Sequence, residues 1–508
     1  MTTQGININV QDGGLGQTPP GLGNVLAVVG VASGTGQTNK PITTSNPAAI
    51  LTNNGYGPGP QAAALVINDS GNPAIFVQAA TVTNGTVSAV QGNFEGTSTL
   101  PGGSTTVMTV TGTPLDTYYL RVQCSLAGTV GTGPVQILIS LDYGRTWLYT
   151  VNLGTSTSYA IPNTGLTLNF SVGTFVLGDF FWAFCKEPLW SDASVASAVQ
   201  SLYGYPTTFL DILVVGDAAS GDCTSFGALL PGLANVRKYT TFLGNARDAL
   251  WGGASTETEF AWMSAIQTDY ASVSIVNGGV GISAGHYNVI SPIDQSQYRR
   301  PLSWLAAARD SAVAIQVDLG RVSDGALAPM VLPASNPSIP NSPSGDGFIY
   351  HDESVNPGLD ASRFMACWSL ATLPGLYIKN PNLMAGAGSD YNWLQHRHVI
   401  MSAAQLAYAW GVQKLSGTVR VSAQTGFILE VDRQKLQNGL QSSLNTNLVQ
   451  PGAVSSITVT VSGTDNILTT STISVTIAVV PLGYIKAINI TILFVNPAIA
   501  AVQTQAGG

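Results

Sequence analysis

Only 9% of this 508-residue chain is charged, with 19 Lys and Arg against 27 Asp and Glu for a net charge of −8; no basic run offers itself to a nucleic acid. Hydrophobic residues make up 45%, enough for about three domains with their own cores, yet no run of 18 apolar residues exists to insert into a membrane. A surface this poor in charge repels its own copies weakly and suits a protein that covers itself by assembling.

At the N-terminus, Ile6, Ile8 and Val10 alternate with Asn7, Asn9 and Gln11, the period-2 pattern of a strand with one buried face. Residues 12–23, with five Gly and two Pro, read as a flexible tether, so this strand has no hairpin partner nearby. It is a frayed end, a strand folded back on its own domain, or a strand that joins another chain's sheet. No basic stretch followed by an apolar one precedes it, so no secretory signal is expected.

NVLAVVGVA then reads as a buried strand, followed by a Pro/Asn-rich connection, a helix in PGPQAAALVIND and a strand in PAIFVQAA, a βαβ-like beginning. From 81 to 186 the chain is rich in Thr, Gly and Ser, with short alternating runs (TTVMTV, YYLRVQC, VQILISL, LTLNFSV). This predicts an inserted all-β domain of sandwich type. The α/β pattern resumes with a helix in DASVASAVQSLY and a strand in TTFLDILVVGD. A helix in STETEFAWMSAIQTDY is expected to carry a capping box of Thr256 and Glu259 and an apolar stripe of Phe260, Met263, Ile266 and Tyr270. ASVSIVNG is expected as a strand, SWLAAARDSAVAIQ as a helix, 329–347 as a Pro-rich exposed loop, and 392–413 as helical. In the last part Leu436, Leu440, Leu444 and Leu448 mark one helix face. Ile/Val/Thr-rich strands follow in SSITVTVSG and STISVTIAVVPLGYIKAINITILFVNP, broken at Pro481-Leu482-Gly483.

Several strings imitate active sites. GISAG (Gly281 to Gly285), with His286 next, fits the nucleophile-elbow pattern, but NGGVG separates it from the expected strand and HYNVISP reads as extended where a helix is required. GVASGTG lacks the G-K-[ST] ending of a phosphate loop. His396 and His398 point to opposite sides of a helix and have no Cys or acidic pair nearby in sequence. Asp352 and Glu353 are adjacent and diverge, a poor acid/base pair. SLDYGRTW (Ser140 to Trp147) fits the Asp-box pattern of sialidase propellers; with a single copy it reads as a braced turn. The four cysteines, far apart and without C-x-x-C spacing, are expected as buried thiols of a protein made in a reducing cytoplasm. No catalytic residue, cofactor or metal is expected.

Three longer strings carry a family likeness: YRRPLSWLAAARDSAVAIQVDLGRVSDGALAP, RFMACWSLATLPGLYIKNPNLMAGAGSDYNWLQHRHVIMSAAQLAYAWG, and the ending PLGYIKAINITILFVNP. In this order, with the last near the chain end, they resemble the tail sheath proteins of contractile bacteriophages over most of the chain outside 81–186. The resemblance implies a structural subunit of a virion tail, assembled in the host bacterial cytoplasm. Such subunits stack as hexameric rings around a tail tube and contract to drive the tube through the envelope. Its implied partners are further copies of itself, the tail tube protein, and the baseplate and tail terminator proteins, with no direct nucleic acid. It also implies that N- and C-terminal arms exchange strands between subunits. Ile6, Ile8 and Val10 are thus expected at an interface with the C-terminal strands, at Ile473, Val475, Ile477, Ile488, Ile490 and Ile492.

The expected architecture is an α/β core of mixed sheets flanked by helices (25–80 with 187–430), an inserted β domain (81–186), an N-terminal arm and linker (1–24), and a C-terminal helix and strand subdomain with its arm (431–508). Two other readings remain at this point. One is a β-rich surface adhesin or carbohydrate-binding protein, suggested by the Asp box; the other is a serine hydrolase using Ser283.

Overall fold

The structure is a computed structural model and describes residues 25–92, 102–250, 257–331, 348–386 and 388–492. The chain begins with β1 (Leu26–Val31), β2 (Ile42–Thr44), α1 (Pro47–Asn54), α2 (Pro58–Ser70) and β3 (Ala74–Ala79). Strands alone follow among the described residues: β4 (Thr86–Val87), β5 (Gln91–Gly92), β6 (Met108–Gly112), β7 (Tyr118–Leu126), β8 (Gly128–Val130), β9 (Gln136–Ser140), β10 (Tyr149–Asn152), β11 (Ser158–Ile161), β12 (Leu166–Phe170), β13 (Gly173–Phe175) and β14 (Phe180–Lys186). Helices and strands then alternate through α3 (Asp192–Gln200), β15 (Asp211–Asp217), α4 (Ser220–Asn235), β16 (Thr241–Asn245), α5 (Glu259–Tyr270), β17 (Val280–Ser283), β18 (His286–Ile290), β19 (Gln297–Pro301) and α6 (Leu302–Ala312). Next come β20 (Met330–Val331), β21 (Cys367–Ser369), β22 (Leu376–Ile378) and α7 (Leu394–Val412). The described chain closes with α8 (Glu430–Leu444), a π-helical turn (Asn445–Val449), β23 (Ser456–Val461), α9 (Ile467–Thr470) and β24 (Val475–Val480).

The central sheet runs β17-β16-β15-β1-β3-β2, parallel throughout except for the antiparallel edge strand β2. Its apolar runs are continuous because both faces are covered. Leu26, Val28, Leu213 and Val215 face α2 and α6, whereas Ala27, Val29, Ile212 and Val214 face α3, α4 and α5. At the β1–α2 crossing, a Cβ on Gly30 would lie 2.8 Å from Gly59 Cα, so only a glycine permits that approach.

The strands from β4 to β14 form separate antiparallel sheets, β10-β9-β7-β14-β4 and β11-β12-β6 among them. Their inward residues, including Leu120, Ile137, Leu168 and Phe181, share one core, which Tyr298 of β19 enters from the α/β part. A further core joins Val399, Ala403 and Leu406 of α7 to Leu440 and Leu444 of α8, Leu448, and Ile457 and Val459 of β23. The expected leucine face is therefore real, with Leu436 half-buried at its start. All four cysteines are buried and unpaired. Among the described residues no helix is long and apolar enough to cross a membrane.

Four local expectations need correction. The Pro/Asn-rich connection holds α1, which Asn46 caps by accepting from Ala48 N–H, and the edge strand β2. The cap of α5 is Thr258, not Thr256, which lies outside the described residues; Thr258 Oγ1 accepts from Ala261 N–H. The cap lies two residues later than expected, and Phe260 is 82% exposed while Trp262 is buried in its place. ASVSIVNG is not a strand: Ile275 makes only an isolated bridge to Ala385, and the strand is β17, in the VGIS that follows. Residues 481–492 form no strand, although their alternation reads as one. A strand needs a partner, and this segment has none among the described residues.

Candidate functional site

The decoy motifs resolve first. β17 enters Ser283 directly, contrary to expectation, so one requirement of the nucleophile elbow is met. The other fails: Gly285 turns at φ +108° and the chain leaves as β18, with no helix. Among the described residues no hydrogen bond joins Ser283 to His286, whose ring nitrogens lie 3.4 Å from Asp217 Oδ1 and 3.6 Å from Asp248 Oδ1. The Asp box braces its turn: Ser140 Oγ donates to Asp142 Oδ1 at 2.6 Å, which accepts Thr146 N–H at 2.8 Å. Asp142 Oδ2 also accepts the N–H of Gln297 at 3.3 Å, so this turn touches β19. Asp352 and Glu353 diverge, the first toward Ser354 and Ser369, the second toward His351.

His398 does meet an acidic pair, which its sequence neighbours could not reveal. Nε2 lies 2.8 Å from Asp211 Oδ2 and Nδ1 3.7 Å from Asp310 Oδ1, all three residues being buried. These ligand atoms fall within 4.8 Å of one another. The 2.8 Å contact is a hydrogen bond between His398 and Asp211, whereas Asp310 at 3.7 Å stands beyond hydrogen-bond reach of the ring, so the cluster is accounted for as a buried polar contact.

The arrangement with an open valence is the C-terminal sheet. β23 and β24 pair antiparallel, Ser456 opposite Val480 and Val461 opposite Val475. Ser462 N–H donates to Ser474 O at 2.9 Å, which fixes the phase: even-numbered residues exchange bonds across the pair and odd-numbered ones point away. On the β23 side the outward groups are met by α8. Gln441 Nε2 donates to Ile457 O at 2.7 Å and its Oε1 accepts Val459 N–H at 2.8 Å. Gln437 Oε1 accepts Val461 N–H at 3.4 Å, and Arg433 Nη1 donates to Val461 O at 3.2 Å. Arg433, Gln437 and Gln441 stand four residues apart on one helix face, so one row of side chains seals one edge.

The other edge is bare. By the same phase the main-chain groups of Val475, Ile477 and Val479 point outward, and among the described residues no strand pairs with them. The side chains of Ile477 and Val479 lie partly buried on the helix-backed core, opposite Val459 and Ile457. Val475 is 41% exposed and Ile473 half-buried.

Beyond β24 the chain is tied down at two points. Tyr484 Oη donates to Gln316 O at 2.6 Å, and Lys486 Nζ lies 2.5 Å from Asp318 Oδ2 and over the Trp393 ring. Past that tie Ile488, Ile490 and Ile492 are 75–90% exposed in an extended run. The structure thus brings Ile473, Val475 and Ile477 to one hairpin and leaves Ile488, Ile490 and Ile492 unpartnered nearby in sequence. Ile6, Ile8 and Val10 lie outside the described residues. Sequence reading missed Gln437 and Gln441, although the repeat Leu-Gln-x-x-Leu-Gln at 436–441 sets an amide beside each leucine of the buried stripe.

The fold is that of a sheath protein of a contractile injection system. A solved PVC sheath complex of an extracellular contractile injection system, in the contracted state, matches with a TM-score of 0.51 at 9% identity, over 97% of this chain and 98% of that one. The contracted helical sheath of the anti-feeding prophage matches at 0.48 and 9% identity, over 97% and 99%. A sheath tail protein from Desulfitobacterium hafniense matches at 0.44 and 11%, over 94% and 100%. Residues 390–499, which hold α7, α8 and the C-terminal sheet, match the family described as DUF2586, C-terminal domain. No curated protein matches the chain by sequence.

Proposed function

We propose that this chain is the structural subunit of a contractile tail sheath, stacked as hexameric rings around a tail tube and shortening to drive that tube through a bacterial envelope. The observation that carries the reading is the one-sided C-terminal sheet: α8 seals the edge of β23 and leaves β24 open to strands from other copies. In this reading Ile6, Ile8 and Val10 of one subunit, and Ile488, Ile490 and Ile492 of another, extend that sheet by main-chain hydrogen bonds, with the isoleucines fixing register. The linkage is heterologous, so it propagates into a tube where an isologous contact would close. On contraction the subunit bodies repack while the strand pairs hold, with no nucleotide required.

The β-rich stretch 81–186 sits on the outer surface in this reading. The partners are the tail tube, baseplate and tail terminator proteins, in a virion tail assembled in the bacterial cytoplasm. No catalytic residue, cofactor, nucleic acid or membrane insertion enters it. The test is removal of residues 1–11. The truncated chain should stay soluble and folded but sediment as small species and form no long tubes in negative stain. Tubes of normal length from it would overturn the strand exchange, and an intact chain that never assembles would overturn the sheath reading.

A further inference from the structure

His351 is wholly buried, and each of its ring nitrogens faces a different carboxylate. Nδ1 lies 2.8 Å from Glu259 Oε1, in the first turn of α5, and Nε2 lies 3.1 Å from Glu353 Oε2. A neutral imidazole carries one N–H and would turn a lone pair toward the other acid; an imidazolium donates to both.

Neither carboxylate is free to swing away. Glu259 Oε2 accepts from Asn356 Nδ2 at 2.7 Å. Glu353 Oε1 accepts the N–H of Gly358 at 2.8 Å and lies 3.6 Å from Lys379 Nζ, while its Oε2 accepts the N–H of Leu359 at 3.2 Å. The Trp262 ring of α5 packs against the imidazole, Tyr287 of β18 donates its hydroxyl to His351 O at 2.6 Å, and Asp360, whose N–H donates to Glu353 Oε1 at 3.3 Å, is the further acid beside Lys379. The neighbouring Asp352 is turned to Ser354 and Ser369.

We propose that Glu259, His351 and Glu353 form a proton-operated lock between α5 and the segment 348–369, closed by an imidazolium and opened when alkali removes one of its two protons. The segment it holds borders the central sheet: Met365 N–H donates to Ile282 O, and Ala284 N–H to Met365 O, both at 2.9 Å. Opening therefore loosens the sheet at β17. Burial works against the charged ring, but the bonds to Glu259 and Glu353 outweigh it, so the histidine pKa is raised. A raised folded pKa gives stability that is complete below the ordinary value of about 6.5 and is lost as pH climbs through the folded value. Burial likewise opposes the Glu353 carboxylate, yet His351 and the Gly358 N–H hold its pKa down, so its share is lost as pH falls through that lowered value. The lock is closed between the two. It belongs to the single chain and stands apart from the sheath reading.

The test is imidazole NMR on the full chain with labelled histidines, of which there are four. One ring should remain doubly protonated at a pH above the ordinary histidine value of about 6.5. Its signal should vanish in His351→Gln. In Glu259→Gln, which keeps the shape but removes one charge, it should titrate at a pH lower by about one unit or more. The protection of amides in 348–369, measured relative to their intrinsic base-catalysed exchange, should fall over the same pH range as the wild-type ring titrates. A His351 ring neutral at that pH, or one whose titration Glu259→Gln leaves unmoved, overturns the proposal. If His351→Gln fails to fold, the shift in Glu259→Gln alone identifies the signal and decides the matter.

Discussion

Arg300 and Asp116 form a bidentate ion pair, Nη1 to Oδ1 at 2.8 Å and Nη2 to Oδ2 at 2.7 Å, across 184 residues of sequence. Both side chains are almost wholly buried. Asp116 belongs to the β-rich stretch and Arg300 to β19, the strand that also carries Gln297 to the Asp box and Tyr298 into the β core. One strand of the α/β part therefore makes three separate contacts with the β region.

Asp116→Ala should cost about 3–5 kcal/mol, because it strands a guanidinium in a site that excludes water. Asp324→Ala removes the partner of Arg321 in a pair whose arginine is half exposed, and should cost less than about 1 kcal/mol. Urea unfolding of the two variants beside the parent reads the contrast. Equal losses would mean that the β region is not held through Arg300.

Ile477→Pro removes an N–H that points away from β23, so the hairpin should survive with a loss of about 1–2 kcal/mol from side-chain packing. Assembly into tubes should fail, since the central donor of the open edge is gone. Ala478→Pro removes an N–H the ladder uses and should unfold the subdomain instead. Circular dichroism and sedimentation of both variants give the readout; normal tubes from Ile477→Pro would exclude β24 as the acceptor.

Gln441→Leu leaves Ile457 O and Val459 N–H without partners, each omission costing about 1–3 kcal/mol. The variant should unfold at lower urea and, with a second edge laid bare, scatter more light than the parent at equal concentration. A stable, monodisperse Gln441→Leu chain would show that water seals that edge as well as the amide does.

Most of the fold was legible because its signals are local. Continuous apolar runs marked β1 and β15, and the four-residue leucine spacing marked α8, since both patterns report what covers a face. Errors arose where a contact distant in sequence decides. Phe260 and Trp262 are both large apolar residues, and it is Trp262 that meets distant partners, its Nε1 donating to Arg247 O at 2.9 Å and its ring packing on His351. The alternation at 485–492 predicts a strand that the structure does not form, because the pattern does not say whether a partner stands beside it. At the candidate site, the strands SSITVTV and VTIAVV were legible from their alternation, but the sealing glutamines were not, because a polar residue on a helix ordinarily signals solvent.

Asp310→Asn isolates a different titration. Burial, and then the neighbouring Asp211, raise the Asp310 pKa well above the ordinary carboxylate value. The folded chain then holds that proton more tightly than the unfolded one, so this group favours folding in acid, and its contribution falls as pH rises above about 3.9. The asparagine keeps the shape and cannot ionise. Melting temperatures measured against pH should show the variant gaining on the parent toward alkali, and parallel curves would refute the assignment.

Arg433, Gln437 and Gln441 give the C-terminal sheet a handedness of access. Two such sheets meeting without any arm between them have one way to join, β24 against β24 about a two-fold axis, and that contact closes on itself. In the proposed sheath, growth and dead end therefore compete for the same three residues, Val475, Ile477 and Val479. Which of them wins is decided by what reaches β24 first, a tethered strand or a second open edge.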